Sequence, residues 1–176
     1  MADPGIEVQS LAPVHAAVLR YFAPEGPFGE AVAAATGVRL PAPLAATAVS
    51  LPGTAAGELL LAWTRPTETL VLAADAAPLR ELMRRLEPAE GGCVVELTGA
   101  VAVLRLTGAP VADLIGRLGS TGLPQPGEAR RGRLADVAVL SLSVRAGEVL
   151  LVVDRAFAGH LDAWIGATLE TFAAGG

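Results

Sequence analysis

From Glu58 onward the chain repeats one pattern three times: two apolar segments of strand length, then an amphipathic segment of helix length. The repeats read ELLLAWT, TLVLAAD, PLRELMRRL; CVVELT, AVAVLRLTG, PVADLIGRLG; and VAVLSLSV, EVLLVVD, FAGHLDAWIGATL. Residues suited to tight turns separate the two strands of each repeat, at Arg65–Glu68, Gly99-Ala100 and Arg145–Gly147, and predict three hairpins. The pattern therefore predicts an α+β fold of ββα modules, forming ferredoxin-like open-faced layers of sheet and helix.

The last module shows the pattern most clearly. Val149 to Val153 are all apolar and predict a buried strand, and Asp154 can cap the next helix by accepting hydrogen bonds from its free amides. Apolar residues then recur at spacings of three and four, at Phe157, Leu161, Trp164, Ile165, Thr168 and Phe172. We expect this helix to lie on the sheet with Phe157 and Trp164 buried against the strands.

The first 27 residues carry no such repeat. We predict a loose arm over Met1–Ser10 and a short helix over Leu11–Phe22, with Pro13 in its first turn. Residues 28–176 are expected to form a single domain, since this length is enough for one substantial core.

Two elements are predicted between residue 28 and the first repeat. Glu30–Thr36 is a short Ala-rich helix that ends at Gly37. Ala45–Leu51 is bracketed by prolines and predicts an edge strand or an extended segment.

Composition excludes several classes of protein. The 176 residues are 52% hydrophobic, yet every apolar run is interrupted well before the roughly 20 residues that a membrane helix requires. A net charge of -5 without a concentrated basic face argues against nucleic-acid binding. The N-terminal residues lack a secretory pattern, so we expect a cytoplasmic protein. Cys93 is the single cysteine, which excludes an internal disulfide, and we expect it in the core.

The sequence contains no strong catalytic signature. It lacks a Gly-rich dinucleotide or phosphate loop, HExxH, a Cys-x-x-Cys pair and a Gly-x-Ser-x-Gly elbow. His15 and His160 are the two imidazoles, and neither has a carboxylate or nucleophile at the spacing of a triad. We therefore predict no catalytic residue and no metal ligand in this chain.

Two groups of residues are candidates for binding. Glu96 and Thr98 alternate in CVVELT and so share one face of a strand. In a pocket, Glu96 could bind a basic amine or a pterin-like donor edge; on a solvated face it would have no special role. Arg130, Arg131 and Arg133 form a cationic cluster in an irregular segment, Ser120–Asp136, and we expect its part from Ser120 to Arg133 to be the most mobile internal segment of the chain. The cluster could hold an acidic partner or an anionic ligand tail, with a solvated loop as the alternative.

Several segments resemble the gamma subunit of heterotetrameric sarcosine oxidase. WTRPTETLVL, from Trp63 to Leu72, is similar to that family's W-x-x-P-x-E-W-L-L, and the segment from Asp154 to Trp164 is similar to its R-S-F-A-x-x-L-x-x-W ending. Val94–Thr98 and Leu106–Leu114 resemble V-V-D-V-S and L-S-G-P-x-A-x-x-L-L. The chain departs from the family at Arg117–Leu123. Where the family has K-G-C-P-L-D-L, this chain lacks the Cys, the Pro and the Asp.

This resemblance implies a fold related to the folate-binding aminomethyltransferase domain of the glycine cleavage system. It also implies a small, cofactor-free subunit of a complex that oxidatively demethylates sarcosine or a related secondary amine. Its partners would be alpha, beta and delta subunits, with FMN, FAD, NAD and tetrahydrofolate bound by the partners. The alternative is a stand-alone small-molecule-binding protein or enzyme on the same scaffold, which could be a homo-oligomer.

Overall fold

The computed structural model describes residues 5–12, 14–54, 57–119 and 121–174. In this part of the chain the elements are, in order, β1 (Glu7–Leu11), β2 (His15–Tyr21), α1 (Pro27–Thr36), β3 (Ala46–Ser50), β4 (Glu58–Arg65), β5 (Glu68–Ala73), α2 (Ala76–Leu86), β6 (Gly92–Glu96), β7 (Val101–Thr107), α3 (Val111–Leu118), β8 (Glu128–Leu134), β9 (Val137–Ser143), β10 (Glu148–Asp154) and α4 (Arg155–Ala174). They form two compact units. The N-terminal unit is Ala12–Gly99, and the C-terminal unit is Met1–Leu11 with Ala100–Gly176.

The N-terminal unit is an antiparallel sheet in the order β3-β4-β5-β2-β6, with α1 and α2 on one face. Alternate strand residues such as Leu19, Leu61 and Val71 point to this face because side chains alternate along a strand. They pack against Phe28 of α1 and Leu82 of α2. The core of this unit therefore lies between its sheet and its two helices.

The C-terminal unit has the matching sheet order β1-β7-β10-β9-β8, also antiparallel. Leu106 and Leu151 of the sheet share a buried cluster with Leu114 of α3 and with Leu161 and Ile165 of α4. This cluster is the second hydrophobic core of the chain, and it positions α4.

The two units repeat one topology. The order β2-α1-β3-β4-β5-α2 in the first unit corresponds to β7-α3-β8-β9-β10-α4 in the second, and the strands take equivalent places in the two sheets. Each sheet has a fifth strand at one edge, which is β6 beside β2 in the first sheet and β1 beside β7 in the second. The repeating unit is therefore βαβββα, which is longer than the ββα module that the sequence predicts.

The α+β class and the layers of sheet and helix are confirmed, and so are two of the three predicted hairpins. β4 pairs with β5, and β9 pairs with β10. The hairpin predicted at Gly99-Ala100 is wrong, because β6 pairs with β2 whereas β7 pairs with β1 and β10. The Gly99-Ala100 step is instead the boundary between the two units.

The helix predicted over Leu11–Phe22 is also wrong, because His15–Tyr21 is the strand β2. β2 lies between β5 and β6 in the sheet. Ala16 points to one face of the sheet and Ala17 and Leu19 to the other, and all three are buried. The strand therefore lacks the alternation of apolar and polar residues that is typical of a half-exposed strand. Much of the predicted arm is the strand β1, Glu7–Leu11. The part of the arm before Gly5, and the predicted place of Pro13, lie outside the described residues.

Several local predictions are confirmed. Gly37 ends α1 in the left-handed conformation, with its N–H donating to the carbonyl of Ala33. β3 lies at a sheet edge, as its proline bracket predicts. The carboxylate of Asp154 accepts a hydrogen bond from the N–H of Ala156 at 2.9 Å, which is the expected N-cap of α4.

Candidate interface

The helix α4 carries two large aromatic side chains that are half-exposed. Phe157 is 53% exposed and Trp164 is 52% exposed, so the prediction that both are buried against the strands is wrong. Leu161 and Ile165 are the residues that α4 buries. With 3.6 residues per turn, positions 157 and 164 fall on one edge of the buried stripe, and they turn away from the sheet.

His160 lies between the two aromatic residues on the same side of α4. Its ring centroid is 6.4 Å from that of Trp164, and its Nε2 is 3.1 Å from the carbonyl oxygen of Ala135. Ala135 and Asp136 form the tight turn between β8 and β9, and both have positive φ, as in a type I′ hairpin. His160 thus joins this side of α4 to the β8–β9 turn.

The arginine cluster lies on the edge strand β8, not in the irregular loop that the sequence predicts over Ser120–Asp136. Arg130 is paired with Glu128 at 2.9 Å. Arg131 and Arg133 are two residues apart, which places both on the other face of β8, and both are exposed. Among the described residues neither has a carboxylate partner within salt-bridge distance.

The aromatic and cationic groups lie on different faces of the C-terminal sheet. Leu134 of β8 shares the buried cluster with Leu161 and Ile165, so α4 covers the face to which Leu134 points. Arg131 and Arg133 alternate with Leu134 along β8 and point to the opposite face. The guanidinium of Arg133 donates to the carbonyl of Asp136 in the β8–β9 turn, next to the Ala135 carbonyl that His160 contacts. The exposed aromatic residues of α4 are therefore the candidate interface, and the arginines are a separate group.

Glu96 and Thr98 lie at the end of β6 and in the turn that follows, and both are exposed. Thr98 is engaged locally, because its Oγ1 accepts a hydrogen bond from the N–H of Ala16 at 3.3 Å. Neither residue lines either of the two cavities described below. The role of Glu96 and Thr98 in ligand binding stays a prediction.

A cavity of about 350 Å³ lies in the C-terminal unit between the start of α3, the β9–β10 turn and residues 123–126. Its lining is mostly Gly, Ala, Pro and Val. Two of the polar side chains at its edge already have partners: the hydroxyl of Ser143 donates to the carbonyl of Arg145 at 2.9 Å, and the Glu148 carboxylate is 3.6 Å from the Arg105 guanidinium. The side-chain amide of Gln125 also lines the cavity. This geometry can hold a small apolar group but presents no set of convergent polar groups.

A second cavity, of about 400 Å³, lies in the N-terminal unit and is lined by Met83, Cys93 and neighbouring residues. Cys93 is exposed on the edge strand β6, so the prediction that it belongs to the core is wrong. Among the described strands β6 pairs with β2 alone, and Cys93 lies opposite the exposed Arg20, on the other face of β6 from Val94, which packs against the core. Within residues 5–12, 14–54, 57–119 and 121–174, no three His, Cys, Asp or Glu side chains cluster as metal ligands would. In the same residues, no helix has the length and apolar character needed to cross a membrane.

The fold defined above is that of the aminomethyltransferase class. Over 92% of its length the chain is similar to the glycine cleavage system aminomethyltransferase T from Bartonella henselae, with a TM-score of 0.71, 16% sequence identity and 45% of that chain covered. The particular likeness is to a chain of the heterotetrameric sarcosine oxidase from Corynebacterium sp. U-96, solved in complex with pyrrole 2-carboxylate. That match covers all of this chain and 89% of the other, at 25% identity and a TM-score of 0.83.

No protein-family model matches the sequence, and no curated protein matches it. The resemblance to heterotetrameric sarcosine oxidase that the sequence motifs indicate is nevertheless confirmed by the structural match. The match is consistent with a divergent gamma-like member.

Proposed function

We propose that this chain is a non-catalytic, gamma-like subunit of a complex that oxidises sarcosine or a related secondary amine. The observation that carries the proposal is the match over the whole chain to one chain of a heterotetrameric sarcosine oxidase. The exposed aromatic residues on α4 support it, because large exposed aromatic side chains are typical of protein interfaces.

The non-catalytic role is supported by the surroundings of the candidate chemical groups. His160 is bonded to a backbone carbonyl, Thr98 is bonded to the backbone of Ala16, and Ser143 is bonded to the carbonyl of Arg145. Among the described residues, none of these groups is paired with a second side chain that would act as a base or a nucleophile. In the proposed complex this subunit contributes to assembly, and the chemistry takes place in its partners.

The proposed partners are sarcosine oxidase-like alpha, beta and delta subunits. FMN, FAD, NAD and tetrahydrofolate are proposed to bind to those partners, since the two cavities found among the described residues offer no cradle for phosphates and no convergent donors for a pterin ring. The proposed location is the cytoplasm, where a lone cysteine such as Cys93 stays reduced.

The proposal is tested by co-expressing the chain with candidate alpha, beta and delta subunits from the same organism, with an affinity tag on the alpha subunit. We expect this chain to co-purify in equal stoichiometry, and we expect its omission to lower the yield of assembled complex and its sarcosine-dependent oxygen uptake. If the complex assembles and turns over equally well without this chain, the proposal is wrong. Sarcosine turnover by the purified chain alone would instead support the stand-alone alternative.

A further inference from the structure

We propose that the open edge of β6 is a docking site for an extended segment of a partner subunit, which adds to the sheet as a further strand and carries basic side chains. This inference rests on the proposed function and adds to it the position of an interface and the chemistry of the segment that binds there. Three features support it: the backbone groups on the open side of β6, the groove beside this strand and the charge around that groove.

The backbone of β6 has one side that no other strand occupies. The N–H of Leu97, just after β6, donates to the carbonyl of Ala16 in β2 at 2.7 Å. Because backbone groups alternate in direction along a strand, the odd-numbered residues of β6 face β2 and the even-numbered ones point away from it. The outward-facing residues are Gly92, Val94 and Glu96. Among the described strands none pairs with this side, so an extended segment can bind along it by strand addition.

The other edge strands of the two sheets, β1, β3 and β8, carry features that hinder the addition of a strand. β8 presents the exposed side chains of Arg131 and Arg133, and β1 carries polar residues such as Glu7 and Gln9. β3 is bracketed by prolines. β6 instead reads Gly-Cys-Val-Val before its one charged residue, Glu96. Most of its length therefore lacks the usual protection of an edge strand.

The groove beside this edge is the cavity of about 400 Å³ in the N-terminal unit, between the end of α2 and β6. Its apolar lining consists of Met83, Leu86, Ala89 and Val94. Alternate side chains of an added strand point to this face of the sheet, so they can enter the groove. The start of β6 packs tightly on α1, because a Cβ atom at Gly92 would lie 2.4 Å from Cγ of Phe28. The site is thus already formed before a partner binds, which lowers the entropic cost of binding.

The charge around the groove determines which segment it favours. Glu87 lines the groove, Glu90 precedes β6 and Glu96 ends it, and all three are exposed. Among the described residues none of the three has a cation within salt-bridge distance. Arg84 also lines the groove, but its guanidinium is already bound to Glu81 at 2.8 Å. Charge complementarity therefore favours a basic segment over the β6 edge of a second copy, which would bring the same carboxylates together.

The experiment uses the co-expressed complex with the tagged alpha subunit. Two variants of this chain test the edge. Val94→Pro removes an outward-facing N–H and leaves the bonds to β2 in place. The double change Glu87→Arg with Glu90→Arg reverses the charge beside the groove. Retention of each variant in the complex is measured over a series of NaCl concentrations, together with the melting temperature of the free chain.

Each variant has a matched control. Ala48→Pro changes an outward-facing position of β3, the other edge strand of the same sheet, since the N–H of Trp63 donates to the carbonyl of Ala45 and the directions alternate from there. The double change Asp162→Arg with Glu170→Arg makes the same change in net charge at two exposed positions of α4. Hydrogen exchange of the backbone amides, in the free chain and in the complex, gives an independent readout.

We expect the amides of Val94 and Glu96 to exchange about tenfold more slowly in the complex than in the free chain, because a partner strand then accepts their hydrogen bonds. Val94→Pro should weaken retention about tenfold at every salt concentration. The double glutamate change should weaken it most at low salt, because the attraction between exposed charges is screened as salt rises. Both controls should be retained like the unmodified chain. If Val94→Pro lowers the melting temperature, the glutamate variant and the hydrogen exchange decide the question.

The possible failures are distinguishable. If the unmodified chain is not retained, the proposed function is wrong and the docking site falls with it. If the unmodified chain is retained but the amides of Val94 and Glu96 are not slowed, or the test variants are retained equally well, the complex exists and the docking site is wrong. A dimer of the free chain that protects the same two amides and is abolished by Val94→Pro would also overturn the inference, because a second copy would then be the occupant.

Discussion

The guanidinium carbon of Arg117 lies 4.0 Å from the centroid of the Phe172 ring. Nη1 of the same side chain donates to the hydroxyl of Thr171 at 3.1 Å, so the C-terminal end of α3 is joined to the last turns of α4. Replacing Arg117 with Met keeps the aliphatic stem and removes the cation, and we expect it to lower the free energy of unfolding by about 0.5–1 kcal/mol. In urea unfolding, Arg117→Met should cost less in a Phe172→Leu background; strictly additive effects would contradict a cation–π contact.

Leu161 and Trp164 are three residues apart in α4 but should respond very differently to truncation. Leu161 is fully buried, and Leu161→Ala should lower the free energy of unfolding by about 2–5 kcal/mol because it leaves a cavity. Trp164 is half-exposed, and Trp164→Ala should lower it by only about 1 kcal/mol. Chemical denaturation of the free chain measures both, and a larger effect at Trp164 would contradict the described orientation of α4.

Asp154 and Asp75 precede helices at equivalent places in the two units, yet only Asp154 makes a side-chain capping bond. The carboxylate of Asp154 accepts from the N–H of Ala156, whereas Asp75 makes no such bond to α2. Asp154→Ala should therefore lower the free energy of unfolding by about 1 kcal/mol, and Asp75→Ala, the matched control, should cost less. Thermal unfolding of the two variants checks this, and equal losses would argue against the cap.

Two glycines near the end of α3 should have opposite responses to alanine. A Cβ at Gly119 would lie 2.2 Å from the carbonyl oxygen of Arg133, a backbone atom that cannot move aside easily. Gly119→Ala should lower the free energy of unfolding by about 1–3 kcal/mol. Gly116 lies inside α3, and a Cβ atom added there would have no neighbouring atom within 4 Å. Gly116→Ala should raise the stability by about 0.5–1 kcal/mol, because alanine favours the helix. Differential scanning calorimetry of both variants tests the pair.

Glu81 should make the N-terminal unit sensitive to acid. Hydrogen bonds from Arg84 and Arg85 lower the pKa of the Glu81 carboxyl from 4.5 to about 2. Because the folded pKa is below the unfolded one, this contribution to stability is present above pH 4.5 and is lost as the pH falls toward 2. The Arg85 guanidinium also donates to the carbonyls of Ala35 and Pro52. It therefore links α2 to α1 and to the segment that follows β3.

The test of the Glu81 contribution is a pair of denaturation curves over pH 7 to 2. Glu81→Gln should be less stable than the unmodified chain at pH 7, and the difference should shrink as the pH falls through this window. Glu90→Gln, which changes an exposed glutamate with no described ion pair, serves as the control and should leave the pH profile unchanged. A constant difference between Glu81→Gln and the unmodified chain across the whole range would contradict the assigned pKa.

The elements with a strong apolar or amphipathic pattern are predicted well from the sequence, and the elements without such a pattern are predicted poorly. β10 and α4 are found at their predicted places because an uninterrupted apolar run and a capped amphipathic helix are strong signals. β8 is missed because its sequence, EARRGRL, buries fully only Ala129 and Leu134 and otherwise looks like a charged loop. β2 is missed because alanines on both of its faces hide the alternation.

The exposed side of α4 is only partly predicted by the sequence for a related reason. Spacings of three and four place Phe157, Leu161, Trp164 and Ile165 in one broad stripe, but spacing does not say which edge of the stripe meets the sheet. The arginines can be recognised as a cluster from the sequence, but the face on which Arg131 and Arg133 lie depends on how β8 pairs with β9. The contact between His160 and Ala135 joins residues that are 25 positions apart, and no local pattern predicts it.

The strand β1 is synthesised well before the strand with which it pairs. Glu7 pairs with Thr107, 100 positions further along the chain. At ordinary rates of translation β1 must therefore wait roughly 5–20 s for its partner strand to leave the ribosome, with both of its edges open. An N-terminal tag, or a truncation that removes β1, would thus disturb the maturation of the C-terminal unit, which carries α4, more directly than that of the N-terminal unit.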